Sequence, residues 1–139
     1  MVTRNIRRLF KKANHQLDRD FNQFASQHEM TGMQMGIIHF LSQGSQASYY
    51  QRDIEKAFNM KASTTTVLLQ RMEKKGLIHR QASAQDARHK LVQLTPKARK
   101  VEGLCQAYLD EEAKELAKHF SEQEIAIFAK ILQYYINKE

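Results

Sequence analysis

The sequence predicts a single domain that is mainly α-helical and carries one small β-hairpin. Three observations predict this fold class. One Pro and five Gly in 139 residues leave room for long helices with few breaks. Apolar residues recur at steps of three and four over most of the chain, which is the spacing of amphipathic helices. Between residues 77 and 94, two short apolar segments flank a polar stretch, as in a hairpin with a long loop.

The first two helices are predicted from an apolar stripe and a capping pattern. The stripe predicts a first helix over about residues 3–27. Its members are Ile6, Leu9, Phe10, Ala13, Leu17, Phe21, Phe24 and Ala25. Thr31 and Gln34 have the spacing of a capping box, so a second helix is expected to begin there. It is expected to end near Gly44 and Ser45, which form a turn signal.

Two more helices are predicted before the hairpin. Ser48 and Gln51 repeat the capping pattern and predict a short third helix. Its expected buried residues are Ile54, Ala57 and Phe58. The fourth helix is predicted over residues 63–75 and ends at Gly76, because glycine readily takes the left-handed conformation of a helix end. Thr65, Leu68, Leu69 and Met72 are expected on one side of this helix, opposite a face of hydroxyls, an amide and cations.

The chain continues through the hairpin into two further helices. The two strands and the polar loop between them are predicted at residues 77–81, 91–94 and 82–90. Thr95-Pro96 begins the fifth helix, with a capping hydroxyl followed by proline at the first helical position. Ser121 and Glu124 form a third capping box and begin the sixth helix.

Positive charge is concentrated in one part of the chain. The formal net charge is +7, yet residues 61–100 hold ten Lys and Arg against two Asp and Glu, and residues 101–139 are net acidic. A local positive patch predicts a surface for phosphate groups, or for anionic lipid. No apolar run is long enough to span a membrane or form a secretory leader, and the single Cys105 fits a reducing compartment, so a cytoplasmic protein is expected.

A short helix, a turn, a second helix with a hydroxyl-rich and basic face, and a basic hairpin together predict a winged helix-turn-helix. In this arrangement the second helix enters the major groove of DNA, where hydroxyls, amides and Arg meet base edges. Cations around it neutralise phosphates. The hairpin loop carries Arg88, which can reach the adjacent minor groove.

At these residues the sequence resembles the MarR family of bacterial transcription regulators. The matching segments are Ser63-Thr64-Thr65-Thr66 at the start of the fourth helix and Arg71-Met72-Glu73-Lys74-Lys75-Gly76-Leu77-Ile78 at its end. The wing holds the family's D-x-R-x-x-x-x-x-L-T signature from Asp86 to Thr95. The order of six helices, with a wing between the fourth and fifth, matches over essentially the whole chain.

The resemblance implies one MarR-type domain over residues 1–139 that forms an intertwined homodimer. Residues 31–95 would form the DNA-binding lobe, and residues 1–30 and 96–139 the dimerisation helices. The expected dimerisation residues are Leu9, Phe10, Leu17, Phe128, Leu132, Tyr135 and Ile136. They supply more apolar surface than a small winged lobe needs. A monomer with a helical cap is the alternative.

The resemblance also implies which residues contact DNA. Helix positions that face the major groove match Ser63, Thr64, Thr66, Gln70 and Arg71, and Lys74 continues that face. In the wing, Arg88 matches the arginine that enters the minor groove, and Asp86 matches the acidic residue that holds this arginine in place. His89 and Lys90 are expected to lie near phosphates, and so is Lys61, which precedes the helix. Val67 departs from the polar or basic residue of many relatives. It either contacts a thymine methyl or packs beneath the wing.

Other kinds of site receive little support from the sequence. The six His residues form no i, i+4 pair, so neither a metal nor a cofactor is expected. Cys105 lies in an apolar stripe and is expected to be structural rather than an oxidant sensor. Without a glycine-rich phosphate loop or a nucleophile elbow, no enzymatic activity is expected.

The predicted function is a repressor that binds a pseudo-palindromic operator on double-stranded DNA as a homodimer. Half-sites are expected about 10 to 10.5 bp apart. The resemblance implies control by a small aromatic or phenolic effector. No motif assigns its binding residues, and the candidates are His15, Phe40 and Tyr108. The alternative is a basic winged-helix module that binds protein or RNA without reading an operator.

Overall fold

A computed structural model of the protein describes residues 2–44 and 48–138. These residues form six α-helices, a short 3₁₀ helix and a three-stranded antiparallel sheet. The helices are α1 (Ile6–Ser26), α2 (Gly32–Gln43), α3 (Gln51–Phe58), α4 (Ala62–Lys74), α5 (Pro96–His119) and α6 (Glu122–Ile136), and the 3₁₀ helix is Val2–Asn5. The strands are β1 (Tyr49–Tyr50), β2 (Ile78–Ala82) and β3 (Lys90–Leu94). The predicted mainly α fold with one hairpin is confirmed.

The chain forms two compact units, and α5 runs from one into the other. The first unit extends to Gly103 and the second begins at Leu104. In the first unit, α2, α3, α4 and the sheet enclose an apolar core whose members are at most 1% exposed. They include Met35, Ile37, Ile38, Ile54, Leu69, Met72, Leu77, Ile78 and Val92. This core fixes which side of α4 faces outward.

The sheet has the order β1-β3-β2. The hairpin is present as predicted, and it pairs Ile78 with Leu94 at its base. Ala82 and Lys90, predicted as loop residues, also pair, so the hairpin extends one residue further on each side. Strand β1 adds a third, unpredicted member by pairing Tyr49 with Val92. Two residues are too few to show an alternating pattern, so no sequence signal marks this strand.

Several predicted helix ends are confirmed in atomic detail. Gln34 N–H donates to Thr31 Oγ1 over 3.1 Å, and Thr31 N–H donates to Gln34 Oε1 over the same distance. Ser121 and Glu124 form the corresponding pair. Gly76 has φ of +75°, the left-handed conformation expected after α4. The two capping boxes satisfy backbone N–H donors at helix starts, and the turn at Gly76 satisfies carbonyl acceptors at the end of α4.

Two predictions for α3 are wrong. Ser48 and Gln51 do not cap this helix, because it begins at Gln51 and Tyr50 N–H donates to the Asp53 carboxylate over 2.9 Å. The amide of Gln51 is therefore available for other partners. Ala57 is exposed rather than buried, since α3 packs mainly through Ile54. The expected turn at Ser45 lies outside the described residues.

Candidate nucleic-acid interface

One side of α4 is buried and the opposite side is exposed. Thr65, Leu69 and Met72 lie in the core. The predicted contact residues on the outer side are all exposed and follow the helix in one stripe: Ser63, Thr64, Val67, Gln70, Arg71 and Lys74. Lys61 is also exposed and occupies the N-cap position without donating or accepting a side-chain cap bond. The fold thus presents hydroxyls, an amide and cations together along one helix.

Thr66 lies at the edge of this stripe and faces the wing. Its side chain is half-buried, and its Oγ1 accepts a hydrogen bond of 2.9 Å from Nε2 of Gln51. A cavity of about 380 Å³ separates α4 from the wing and brings Thr66 together with Arg88, His89 and Lys90. The structure therefore gathers four sequence-predicted residues from two elements around one space.

The wing loop is organised by Asp86. Its carboxylate accepts from the backbone N–H, Nε and Nη2 of Arg88 at 3.0, 3.2 and 3.0 Å. The Arg88 hydrogen bonds, aided by the charge of His89, hold the pKa of Asp86 below its usual value. His89 Nε2 lies 3.4 Å from Oδ2 of the same carboxylate. The Arg88 side chain is nevertheless 87% exposed, so it is oriented without being buried.

Further cations line the same cavity and have no counterpart in the sequence prediction. Arg52 and Arg80 border it alongside Arg88 and Lys90. Arg80 extends from β2, where its Nε lies 3.4 Å from Oε1 of Glu73. Arg52 places its guanidinium carbon 4.7 Å from the centre of the Tyr50 ring, a cation–π contact. Neither residue lies in a sequence motif, so only the folded structure shows that both border this cavity.

A second cavity, of about 570 Å³, lies on another side of α4. It is mainly apolar, with Met33, Met60 and Leu68 among its lining residues. Val67 borders this cavity and is 47% exposed. Wing residues line the other cavity instead. Val67 thus borders this apolar cavity rather than the cavity that the wing residues line.

The residues expected to dimerise lie on α1 and α6 and leave much apolar surface uncovered. Leu9, Leu17, Phe128, Tyr135 and Ile136 are exposed, whereas Phe10 and Leu132 are half-buried. Other large apolar side chains in the second unit are also exposed: Phe120, Ile127, Ile131 and Tyr134. In the described part of α6 no residue is buried. Large apolar side chains exposed in such number on one helix are typical of an interaction site.

The remaining candidate residues lie on other elements than α4. Cys105 is fully buried. Phe40 packs against the rings of Tyr49 and Phe58, His15 is exposed on α1, and Tyr108 is half-buried on α5. Among residues 2–44 and 48–138, no three His, Cys, Asp or Glu side chains cluster as metal ligands. None of the helices described is long and apolar enough to cross a membrane.

The first unit has the parts of a winged helix-turn-helix in their expected order. The short α3 is followed by a turn, by α4 with its exposed polar and basic stripe, and by an antiparallel hairpin with a cationic loop. This architecture places the protein in the class of winged helix-turn-helix proteins.

Comparison with known proteins specifies the family. The MarR family profile matches residues 28–89. The crystal structure of the transcription regulator MarR from Oenococcus oeni PSU-1 is 39% identical, with a TM-score of 0.80, and the alignment covers 96% of this chain and 99% of that one. The protein therefore belongs to the MarR family of winged-helix transcription regulators.

Two further solved structures contain DNA. The Staphylococcus aureus MepR–DNA complex is 29% identical, with a TM-score of 0.85 and coverage of 92% of this chain and 93% of that one. A mutant of Escherichia coli MarR complexed with operator DNA is 23% identical, with a TM-score of 0.80 and coverage of 92% and 91%, a likeness that concerns the fold. A search of curated protein sequences finds no significant match.

Proposed function

We propose that this protein is a cytoplasmic, non-enzymatic repressor that binds a pseudo-palindromic operator as a homodimer and responds to a small ligand. The observation that carries the proposal is the exposed stripe of α4 beside the ordered Asp86–Arg88 wing. A helix with short polar side chains and Arg suits the major groove, and an exposed arginine on a hairpin suits the minor groove. The MepR–DNA complex supports a duplex DNA partner.

Within this proposal the residues divide into two roles. Ser63, Thr64, Val67, Gln70 and Arg71 would meet base edges, because they form the exposed stripe from the first turn of α4 to Arg71. The others would contact phosphates or the minor groove: Lys61, Thr66, Lys74, Arg88, His89 and Lys90. Asp86 would act on Arg88 rather than on DNA.

The homodimer is proposed from the uncovered apolar residues of α1 and α6. One copy leaves Leu17, Phe128 and Ile136 between 53% and 71% exposed, a state that a second copy would relieve. Residues 1–30 and 96–139 would then serve dimerisation, and 31–95 DNA binding. Sedimentation at micromolar concentration should show a dimer. A monomer under these conditions would contradict this part of the proposal.

Ligand control requires that the effector prefers one state of the protein. An effector that binds the DNA-free conformation more tightly lowers operator affinity, whereas equal affinity for both states changes nothing. We propose a small aromatic or phenolic compound from the family resemblance. Candidate compounds are tested by their effect on operator affinity, with direct binding measured separately.

Selection from a random duplex pool tests operator reading. The protein should enrich an inverted repeat whose half-sites are about 10 to 10.5 bp apart, and a hydroxyl-radical footprint should protect both halves. Failure to enrich any sequence would favour the alternative, a basic module that binds protein or RNA. A-form RNA is a poor partner for α4 because its major groove is deep and narrow.

A further inference from the structure

The side chain of Gln51 joins three elements of the winged unit. From the start of α3, its Nε2 lies 2.9 Å from Thr66 Oγ1 on α4, and its Oε1 lies 3.4 Å from Nη1 of Arg80 on β2. The same nitrogen lies 3.3 Å from Oε2 of Glu55. Glu73 in turn contacts Arg80 over 3.4 Å. Two of these neighbours, Arg80 and Glu55, are charged, and they determine which end of the amide faces Thr66.

The amide orientation follows from the charges of its neighbours. A guanidinium only donates hydrogen bonds, and an ionised carboxylate only accepts them. Gln51 must therefore turn its oxygen to Arg80 and its nitrogen to Glu55. The reverse orientation would place two donors together at Arg80 and two acceptors together at Glu55. The nitrogen that faces Thr66 is thus held as a donor.

The Gln51 donor determines whether the Thr66 hydroxyl can itself donate a hydrogen bond. Thr66 Oγ1 accepts from Gln51, which leaves the hydroxyl proton for another partner. The neighbouring Thr65 gives its proton to the carbonyl of Lys61 over 2.9 Å, whereas no acceptor within residues 2–44 and 48–138 receives the proton of Thr66. The Thr66 proton is therefore available to the cavity between α4 and the wing.

We propose that Gln51 is a positioning residue that makes the Thr66 hydroxyl a hydrogen-bond donor to a phosphate oxygen of bound DNA. This inference rests on the proposed function. Phosphate is favoured because the cavity holds Arg52, Arg88 and Lys90 beside Thr66, and phosphate oxygens accept but never donate. A donor among cations matches such an anion. The family resemblance assigned Thr66 to the major groove, and the sequence pattern gave Gln51 only a capping role.

A double-mutant cycle on the duplex selected by the wild-type protein tests the inference. Thr66→Val removes the hydroxyl at nearly constant shape. Gln51→Glu reverses the hydrogen bond, because a carboxylate accepts the Thr66 proton; measurement at pH 8, with Arg80 adjacent, keeps it ionised. Each variant should weaken DNA binding at least about tenfold, the lower end of the usual range for a lost hydrogen bond to a charged acceptor. In the Thr66→Val background, Gln51→Glu should lower DNA affinity much less, because only the added negative charge then affects binding.

Two controls separate positioning from a merely structural role. Thr66→Ser keeps the donor and should retain affinity within about threefold, while Thr66→Ala should match Thr66→Val. Thermal unfolding in the absence of DNA should be the same for the wild type and the Thr66 variants. Gln51→Glu places a carboxylate near Glu55, so its unfolding is compared with that of the double variant, which carries the same added charge. The Thr66→Val loss should be equal on selected and random duplexes, and the salt dependence should not change, because a neutral hydroxyl releases no counterion.

Each opposing result has a distinct meaning. Additive effects of Gln51→Glu and Thr66→Val, or a Ser variant as weak as the Val variant, would overturn the positioning role. A loss confined to the selected duplex would overturn the phosphate assignment in favour of a base edge. If the wild-type protein enriches no duplex at all, the proposed function itself fails, whereas enrichment with an additive cycle removes only this inference.

Discussion

Asp86 holds Arg88 through both its backbone and its side chain. The carboxylate oxygens lie 3.0 Å from the Arg88 backbone nitrogen, 3.2 Å from Nε and 3.0 Å from Nη2. The guanidinium extends into solvent while the loop that carries it is tied down. Orientation before binding lowers the conformational entropy that Arg88 loses when it enters a groove. The Asp86–Arg88 contact thus orders the wing in a way that favours the proposed insertion of Arg88 into the minor groove.

Replacing Asp86 with Asn should lower DNA affinity, by roughly tenfold if the charged hydrogen bonds to Arg88 are lost. This direction is informative, because removing a negative charge near DNA would by itself raise affinity. When Arg88 is already Ala, Asp86→Asn should no longer weaken binding. Titrations of one duplex with the wild type, both single variants and the double variant measure this coupling. A similar loss in the Arg88→Ala background would show that Asp86 acts by another route.

The low pKa of Asp86 sets the acid range in which the wing contact breaks. A carboxyl whose pKa is lower in the folded than in the unfolded state stabilises the fold above the unfolded value and loses this effect as the pH falls through the folded pKa. Hydrogen bonds from Arg88 lower the pKa of Asp86 from 3.8, so the contact should persist at neutral and mildly acidic pH. An NMR titration of the Asp86 carboxyl carbon should have its midpoint below 3.8, and Arg88→Ala should raise that midpoint. Identical midpoints in the two proteins would contradict the assigned cause.

Lys90→Ala should weaken binding to all duplexes alike. The side chain borders the basic cavity and would neutralise a phosphate, which carries no sequence information. The slope of log affinity against log salt should decrease in magnitude by about one unit per subunit. Lys114→Ala is the matched control, because Lys114 is exposed on α5 and pairs with Glu111 instead. Equal slopes for Lys90→Ala and the wild type would exclude a phosphate contact.

Gln70→Ala should change sequence preference more than overall affinity. Gln70 is exposed in the middle of the α4 stripe, where an amide can bind a base edge at two points. The variant should lose about 1 to 3 kcal/mol of discrimination at one base pair. Binding to a set of single-base operator variants measures this loss. A uniform decrease across the set would mean that Gln70 does not read a base directly.

Val67 should recognise a thymine methyl group. Its side chain is 47% exposed, on the side of α4 that bears the apolar cavity. Replacing the contacted thymine by deoxyuridine removes only that methyl and should cost about 0.8 kcal/mol, or roughly fourfold in affinity. Val67→Ala should abolish this difference at the same position. If no thymine in the operator shows the effect with wild-type protein, Val67 has another role.

Local signals predicted most of the fold. The capping boxes at Thr31 and Ser121 and the glycine at position 76 act within a few residues, so the sequence shows them directly. The buried side of α4 was predictable because its apolar residues recur at helical spacing. These features also indicated the stripe of candidate DNA contacts, because a buried side implies an exposed one.

Contacts between distant residues were not predictable. Gln51 matched a capping pattern, yet its amide binds Thr66 and Arg80, which lie 15 and 29 residues away. Strand β1 exists because Tyr49 and Tyr50 meet Val92 and Leu91, not because of its own two residues. Arg52 and Arg80 likewise join the basic cavity only through the packing of α3 and β2. Such juxtapositions depend on topology, which no single stretch of sequence contains.

The central claim is that α4 and the wing read a specific duplex. The most direct measurement is the affinity for the selected inverted repeat compared with a random duplex and an RNA of equal length, at one physiological salt concentration. The inverted repeat should bind at least about 10³-fold more tightly than either competitor. Equal affinity for all three would contradict operator reading and leave a basic surface that attracts polyanions without distinguishing them.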